Sequence, residues 1–181
     1  MEAKIVEKPE MHVVGISLQT SFTNERNKHE IPPFFHNVLK EKKLDDVENR
    51  LNNNQLCVFE MKRGNPDFRY TMGVEVSAGH KASLSMTALT LPASRYVSVR
   101  TIKRGPEDVS KAFGYIYKDY IPNSIYIPTG APAFIYYDEE FFNVFNEKGY
   151  AGNPVATVFV PVKPLFIKKI IRRIGIKKLP A

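Results

Sequence analysis

The alternation of apolar and polar residues along the chain predicts a series of strands. Short runs rich in β-branched and aromatic residues, bounded by polar or turn-forming residues, are typical of strands. A short strand is expected at Ile5 and Val6. The main predicted strands are residues 11–18, 56–62, 68–76, 96–102, 133–138 and 157–163.

Apolar residues at helical spacing predict a first helix after the opening strands. Proline suits the first helical turn, so Pro32 and Pro33 are expected to open this helix. A second helical piece is expected to follow, and the polar run 52–54 is expected to end it. Its apolar residues are Leu44, Val47 and Leu51.

A second helix is predicted to begin at residues 105–108. Pro106 suits the first turn, and the two acids after it favour the positive end of the helix dipole. Pro122 stops the helix. Its apolar face comprises Val109, Ala112, Phe113, Ile116, Tyr117 and Tyr120.

The order of elements is strand, helix, strand, strand, and it occurs twice, although no residue-level repeat is visible. Two such units, each with one helix, predict an α+β domain in which the helices cover one face of the sheet. The second face must then be covered by other parts of the chain or form a binding surface. We expect a pocket where an open sheet face is lined by tyrosines.

Tyrosines are concentrated in one part of the chain. Seven of the nine lie within residues 92–138, and tryptophan is absent. Tyrosine has an apolar ring and one hydroxyl, so such a group can line a cavity or bind a flat ligand. Strands also favour tyrosine at ordinary half-buried positions, and composition alone leaves both interpretations open.

The net charge of +7 belongs to the C-terminal end of the chain. Residues 163–181 contain seven lysines and arginines and no acid, so residues 1–162 are formally neutral. We therefore expect a domain at residues 1–163 and a basic tail at 164–181. Isoleucines recur at helical spacing in the tail, so it is predicted to dock on protein, to lie on an anionic membrane surface or to contact nucleic acid.

Several function classes find no support in the sequence. Cys57 is the single cysteine, lies in an apolar run and is interpreted as a buried small hydrophobe. The four histidines are scattered, and no phosphate loop, nucleophile motif or helix-turn-helix module is visible. We predict no metal, no cofactor, no catalytic residue and no DNA-binding module. Without an apolar run of about 18 residues or a signal peptide, the expected location is the cytoplasm.

Six short motifs occur in order at residues 31–35, 70–76, 91–97, 121–124, 134–139 and 160–163. Together they resemble the motifs of the GyrI-like effector-binding domain family. That family also supplies the ligand-binding half of AraC-type and MerR-type multidrug-responsive transcription regulators. The similarity extends from about Ile5 to Lys163.

The resemblance implies duplicated β-α-β-β units that form an antiparallel sheet, with helices on one face and a central ligand cleft. Such clefts bind hydrophobic, often cationic, molecules between aromatic side chains, commonly with a carboxylate at the floor. In this chain Ile135 occupies the position of the usual glutamate. Strand alternation places Ile135 and Tyr137 on one face and Phe134 and Tyr136 on the other. The resemblance then implies that the first pair faces the cleft and that the second pair packs under the helices.

The predicted function is that of a stand-alone small-molecule-binding protein linked to transcription regulation or drug sensing, rather than an enzyme. Glu75 is the expected polar anchor. A hydrolase of strained electrophilic natural products, using a cleft carboxylate, and a gyrase-inhibitor-like protein-interaction module are the alternatives. The predicted ligand-binding residues are Phe35, Glu75, Tyr96, Tyr117, Tyr120, Ile135 and Tyr137.

Overall fold

The computed structural model describes residues 1–80, 82–101, 106–138, 141 and 156–165. Nine strands within these ranges form one antiparallel sheet, and two helices pack against it. The strands are β1 (Ala3–Lys8), β2 (Met11–Ser21), β3 (Arg50–Met61), β4 (Asp67–Val76), β5 (Thr87–Leu91), β6 (Ser94–Arg100), β7 (Tyr126–Pro128), β8 (Ala133–Tyr137) and β9 (Ala156–Pro164). The helices are α1 (Arg26–Lys40) and α2 (Pro106–Gly114).

The predicted duplication is confirmed by the strand order, which is β1-β6-β9-β8-β3-β4-β2-β5, with β7 paired to the end of β9. The units β2-α1-β3-β4 and β6-α2-β8-β9 occupy the two halves of the sheet. They join where β3 pairs with β8, and there Cys57 lies opposite Ile135. Because all these pairs are antiparallel, the α+β architecture expected from the order of elements is present.

The first helix begins earlier than predicted. It starts at Arg26, so Pro32 and Pro33 lie inside it rather than at its opening. Each proline lacks the N–H that would bond to a carbonyl one turn earlier, which weakens the middle of the helix. At the first turn, Arg26 Nη2 lies 3.1 Å from Glu30 Oε1, an ion pair that supports the early start.

The predicted second helical piece is wrong. Residues 41–46 form turns, and Leu51 lies in β3, which also includes the polar run 52–54. Leu44 and Val47 are buried nevertheless, so their apolar character reflects packing of a turn against the core. The short strands β5 and β7 were not predicted.

Both helices lie on one face of the sheet, which we call the helix face. Val38 of α1 and Ala112 of α2 belong to one buried cluster with Tyr70, Ile135 and other alternate strand residues. The remaining strand residues form a second cluster on the other side, which we call the opposite face. Helices on one face were expected, and that expectation is confirmed.

The opposite face is buried although no described helix covers it. Leu56, Tyr96 and Phe134 have no measurable exposed area there. Short connections lead from β1 to β2 and from β5 to β6, so the two ends of the sheet are tied together and the sheet curls. Gly73 permits a close strand contact, because a Cβ atom on it would lie 2.5 Å from the Val14 carbonyl oxygen.

The domain boundary expected at residue 163 stays a prediction. Strand β9 continues to Pro164, and the Leu165 N–H donates to the Ile125 carbonyl at 2.8 Å. Residues 166–181, which carry nearly all of the predicted basic tail, lie outside the described residues. Within the described part of the chain, no helix is long and apolar enough to cross a membrane.

Candidate ligand-binding site

Strand β8 divides the predicted residues between the two faces. Ile135 and Tyr137 belong to the helix-face cluster, whereas Phe134 and Tyr136 lie with the opposite-face cluster. The predicted alternation is therefore correct. The prediction that Phe134 and Tyr136 pack under the helices is wrong, because the helices cover the other side of the strand.

An aromatic group connects α1 to β8 on the helix face. The Phe35 ring lies 5.7 Å from the Tyr137 ring, and Tyr137 lies 4.5 Å from the Phe141 ring. Tilted ring contacts at these distances are favourable beyond the area that they bury. Two predicted site residues, Phe35 and Tyr137, therefore meet, although they come from different halves of the chain.

A second aromatic group spans the sheet from α1 to α2. Phe34 lies 5.9 Å from Tyr70, Tyr70 lies 5.2 Å from Phe59, and Phe59 lies 5.5 Å from Phe113 of α2. None of these four residues was predicted as part of the site. The even-numbered apolar residues of β4 provided a signal, since they place Tyr70 on one face with Met72.

The floor between these groups is apolar and uncharged. Ile135 is 3% exposed, and Cys57, opposite it in the register, is completely buried. Burial raises the pKa of the Cys57 thiol to about 12. Burial also raises the pKa of the Tyr70 and Tyr137 hydroxyls well above their ordinary value, so all three groups are protonated at neutral pH.

Glu75 lies on the opposite face, away from Ile135 and Tyr137. Its β4 neighbours Val74 and Val76 belong to the helix-face cluster, so Glu75 points to the other side. Its Oε2 atom accepts a hydrogen bond from Asn52 Nδ2 at 3.4 Å. The expected polar anchor, which the hydrolase alternative also requires, is thus separated by the sheet from the aromatic groups under the helices.

Tyr96 also lies on the opposite face. Its ring contacts Phe134 at 5.4 Å and Phe159 at 6.2 Å, and its hydroxyl donates to the Pro92 carbonyl at 3.3 Å. The side chain is fully buried. Tyr96 therefore packs within the curled sheet and does not approach Tyr137.

The remaining predicted tyrosines lie at the end of α2. The helix continues as a π-helical turn, Tyr115–Tyr120, in which the Ile121 N–H donates to the Ile116 carbonyl at 2.9 Å. Tyr117 is 40% exposed, and partial burial raises the pKa of its hydroxyl. Tyr120 lines a groove of about 370 Å³. The structure therefore does not bring all seven predicted residues into one site.

The described residues contain no cluster of side chains that could bind a metal ion. Across these ranges, no three histidine, cysteine or acidic side chains come close enough together to hold a metal ion.

The sequence as a whole matches a known family. The Cass2 model, which describes integron-associated effector-binding proteins, covers residues 4–162. The chain belongs to this family. No curated protein matches this effector-binding protein.

Several solved structures share the fold of this chain. SAV2435 bound to tetraphenylphosphonium has a TM-score of 0.69 and 16% identity, over 90% of this chain and 94% of that one. The Vibrio cholerae integron cassette protein VCH_CASS2 has a TM-score of 0.61 and 14% identity, over 89% and 95%. The EcmrR C-terminal domain has a TM-score of 0.60 and 16% identity, over 91% and 98%. The predicted resemblance to GyrI-like effector-binding domains is confirmed.

Proposed function

We propose that this effector-binding protein senses a hydrophobic, aromatic small molecule, which it binds on the helix face between α1 and α2. The observation that carries the proposal is the contact of Phe35 with Tyr137, 5.7 Å between ring centroids, beside the apolar floor at Ile135. Ring faces on two separate elements can enclose a flat compound if one element shifts slightly.

The charge of the floor decides which ligands we expect. A desolvated cation needs a counter-charge, and Ile135 provides none where the family resemblance implies a glutamate. Cys57, Tyr70 and Tyr137 are protonated and offer only neutral groups. The proposed ligand is therefore an uncharged aromatic compound, or one whose charge stays in solvent.

Two probes of similar aromatic content test this function. Tetraphenylphosphonium, the compound bound by SAV2435, is a cation, and triphenylphosphine oxide is neutral. We expect the neutral probe to bind at least as tightly as the cation in isothermal titration calorimetry. Tighter binding of the cation by about tenfold or more would contradict the neutral floor.

Neighbouring tyrosines of β8 provide a matched pair of variants. We expect Tyr137→Leu to weaken binding of triphenylphosphine oxide about tenfold, since a ring contact is lost. Tyr136→Leu makes the same change on the opposite face and is expected to leave affinity unchanged, as is Glu75→Gln. Urea unfolding of each variant shows that it is folded. Equal losses in Tyr136→Leu and Tyr137→Leu would show that binding does not occur on the helix face.

A further inference from the structure

A buried oxygen on the helix face has no hydrogen-bond partner among the described residues. It is the Oε1 atom of Gln55, in strand β3. Most buried polar side-chain atoms of native proteins are paired, because an unpaired one has given up its bonds to water without replacing them. The unpaired oxygen of Gln55 therefore calls for an explanation, and its position beside the aromatic rings of the helix face provides one.

The strand register places Gln55 next to the ring pair of the proposed site. Gln55 lies directly opposite Tyr137 of β8 on one side and opposite Val74 of β4 on the other. Directly opposed residues of antiparallel strands have their Cβ atoms about 5 Å apart on the same face of the sheet. Tyr137 is the ring that contacts Phe35, with 5.7 Å between the ring centroids. The amide of Gln55 thus borders the place where a flat ligand would separate these two rings.

An irregularity in β3 precedes Gln55. The register of β3 with β4 shifts between Arg50 and Gln55, and regular pairing resumes at Gln55. From there the alternate residues Gln55, Cys57 and Phe59 share one face, because successive side chains of a strand point to opposite sides. Cys57 belongs to the helix-face cluster, and Phe59 packs against it. Gln55 is consequently the polar end of an apolar row of side chains.

A nearby positive charge decides which kind of hydrogen-bond donor suits this oxygen. Arg50 lies opposite Val76, two residues along β4 from the partner of Gln55. The Cα atoms of Arg50 and Gln55 are therefore roughly 7 Å apart. Arg50 Nε donates to the Val47 carbonyl at 3.1 Å, and the ion pairs found among the described residues do not include Arg50. Because like charges repel strongly away from bulk water, a neutral N–H or O–H group is favoured over an ammonium group.

We propose that Gln55 sets the ligand class of the helix-face site, which is a neutral aromatic compound with an N–H or O–H donor on the edge of its ring system. This inference rests on the proposed function and names the chemistry of the same ligand. The rings of Phe35 and Tyr137 hold the aromatic part, and Gln55 Oε1 accepts the donor. A site built around a hydrogen bond discriminates against an analogue that lacks the donor, since the buried oxygen then stays unpaired.

Indole and benzofuran test the proposal, because these flat bicyclic compounds differ in one position, where the N–H group of indole is replaced by oxygen. We expect isothermal titration calorimetry to show that indole binds about tenfold more tightly than benzofuran. 1-Methylindole, in which a methyl group blocks the donor, is expected to bind as weakly as benzofuran. Equal affinities of the three compounds for the wild-type protein would overturn the proposal.

Matched variants identify the acceptor. Gln55→Met keeps the length of the side chain and is expected to weaken indole binding about tenfold, while benzofuran binding stays the same. Gln19→Met makes the same substitution at an exposed position of β2 and should leave both affinities unchanged. Unchanged indole affinity in Gln55→Met, shown to be folded by urea unfolding, would also overturn the proposal. The comparison of the three compounds on the wild-type protein needs no variant to fold.

Triphenylphosphine oxide separates this inference from the function on which it rests. The compound has aromatic rings and no donor, so Gln55→Met is expected to bind it as the wild-type protein does. If the wild-type protein does not bind triphenylphosphine oxide, the proposed function is wrong and this inference is wrong with it. If that compound binds while indole and benzofuran have equal affinities, the role assigned to Gln55 is wrong and the helix-face site stands.

Discussion

The two faces of the sheet differ in how their polar groups are paired. On the opposite face, the Asn54 Nδ2 group donates to the Tyr136 hydroxyl at 2.5 Å, and Lys8 Nζ lies 4.8 Å from the centre of the Phe159 ring. Glu75 is bonded to Asn52. Charges and hydroxyls on this face already have partners within the chain.

On the helix face, one buried polar group lacks a partner. Gln55 lies opposite Val74 and Tyr137, and its buried Oε1 atom has no hydrogen-bond partner among the described residues. An unpaired buried acceptor is costly, so proteins rarely keep one without a reason. The polar groups of the opposite face therefore contribute stability, whereas the helix face keeps one unpaired acceptor beside Tyr137.

The largest expected effect is the loss of the opposite-face core. Tyr96→Ala should lower the free energy of unfolding by about 4 kcal/mol, since a fully buried aromatic side chain leaves a cavity between Phe134 and Phe159. Urea denaturation measures this loss. Tyr117→Ala removes the same side chain from a position that is 40% exposed and should cost less than half as much, about 1.5 kcal/mol. Similar losses in both variants would contradict the assignment of Tyr96 to the buried core and of Tyr117 to a partly exposed position.

The next effect concerns alkaline pH and the helix face. The Cys57 pKa is raised from 9.0 to about 12, so the unfolded chain loses this proton first. The contribution of this thiol to the free energy of unfolding is therefore complete below pH 9. It falls by about 1.4 kcal/mol per pH unit as the pH rises toward 12. Urea midpoints at pH 8.5 and 10 should show a smaller fall in Cys57→Ala than in wild type. Identical falls would mean that the thiol is not buried.

The smallest effect expected is a gain. Gln55→Met keeps the length of the side chain and removes the unpaired acceptor, so the free energy of unfolding should rise by about 1 kcal/mol. Thermal and urea unfolding provide the measurement. Gln55→Glu serves as a control, because a buried charge at the same place should destabilise the protein. A loss of stability in Gln55→Met would show that Oε1 has a partner in solution.

The strands were predictable because their patterns are local. Period-two alternation assigned Ile135 and Tyr137 to one face and Phe134 and Tyr136 to the other. It could not decide which face the helices cover, since both pairs are apolar and aromatic. That choice depends on the crossing of α1 and α2 over the sheet, which is a tertiary property.

The helical errors have equally specific causes. Proline preference for a first turn favoured a start at Pro32, yet packing of the helix against β2 and β4 tolerates two prolines inside α1. Spacing of 3.6 residues per turn was assumed throughout α2, so the π-helical turn Tyr115–Tyr120 was not foreseen. Local rules fail where the backbone departs from regular geometry.

The two outer strands of the sheet differ in how they discourage self-association. Strand β1 carries Lys4, Glu7 and Lys8, and Arg95 Nη2 of β6 lies 2.5 Å from Glu7 Oε1. Strand β5, with one neighbour among the described strands, contains no charged residue and no proline. An uncharged edge is a template onto which another chain can add a strand. At high concentration, β5 is thus the part of the described sheet where chains would first join edge to edge, and a single lysine there would favour solubility.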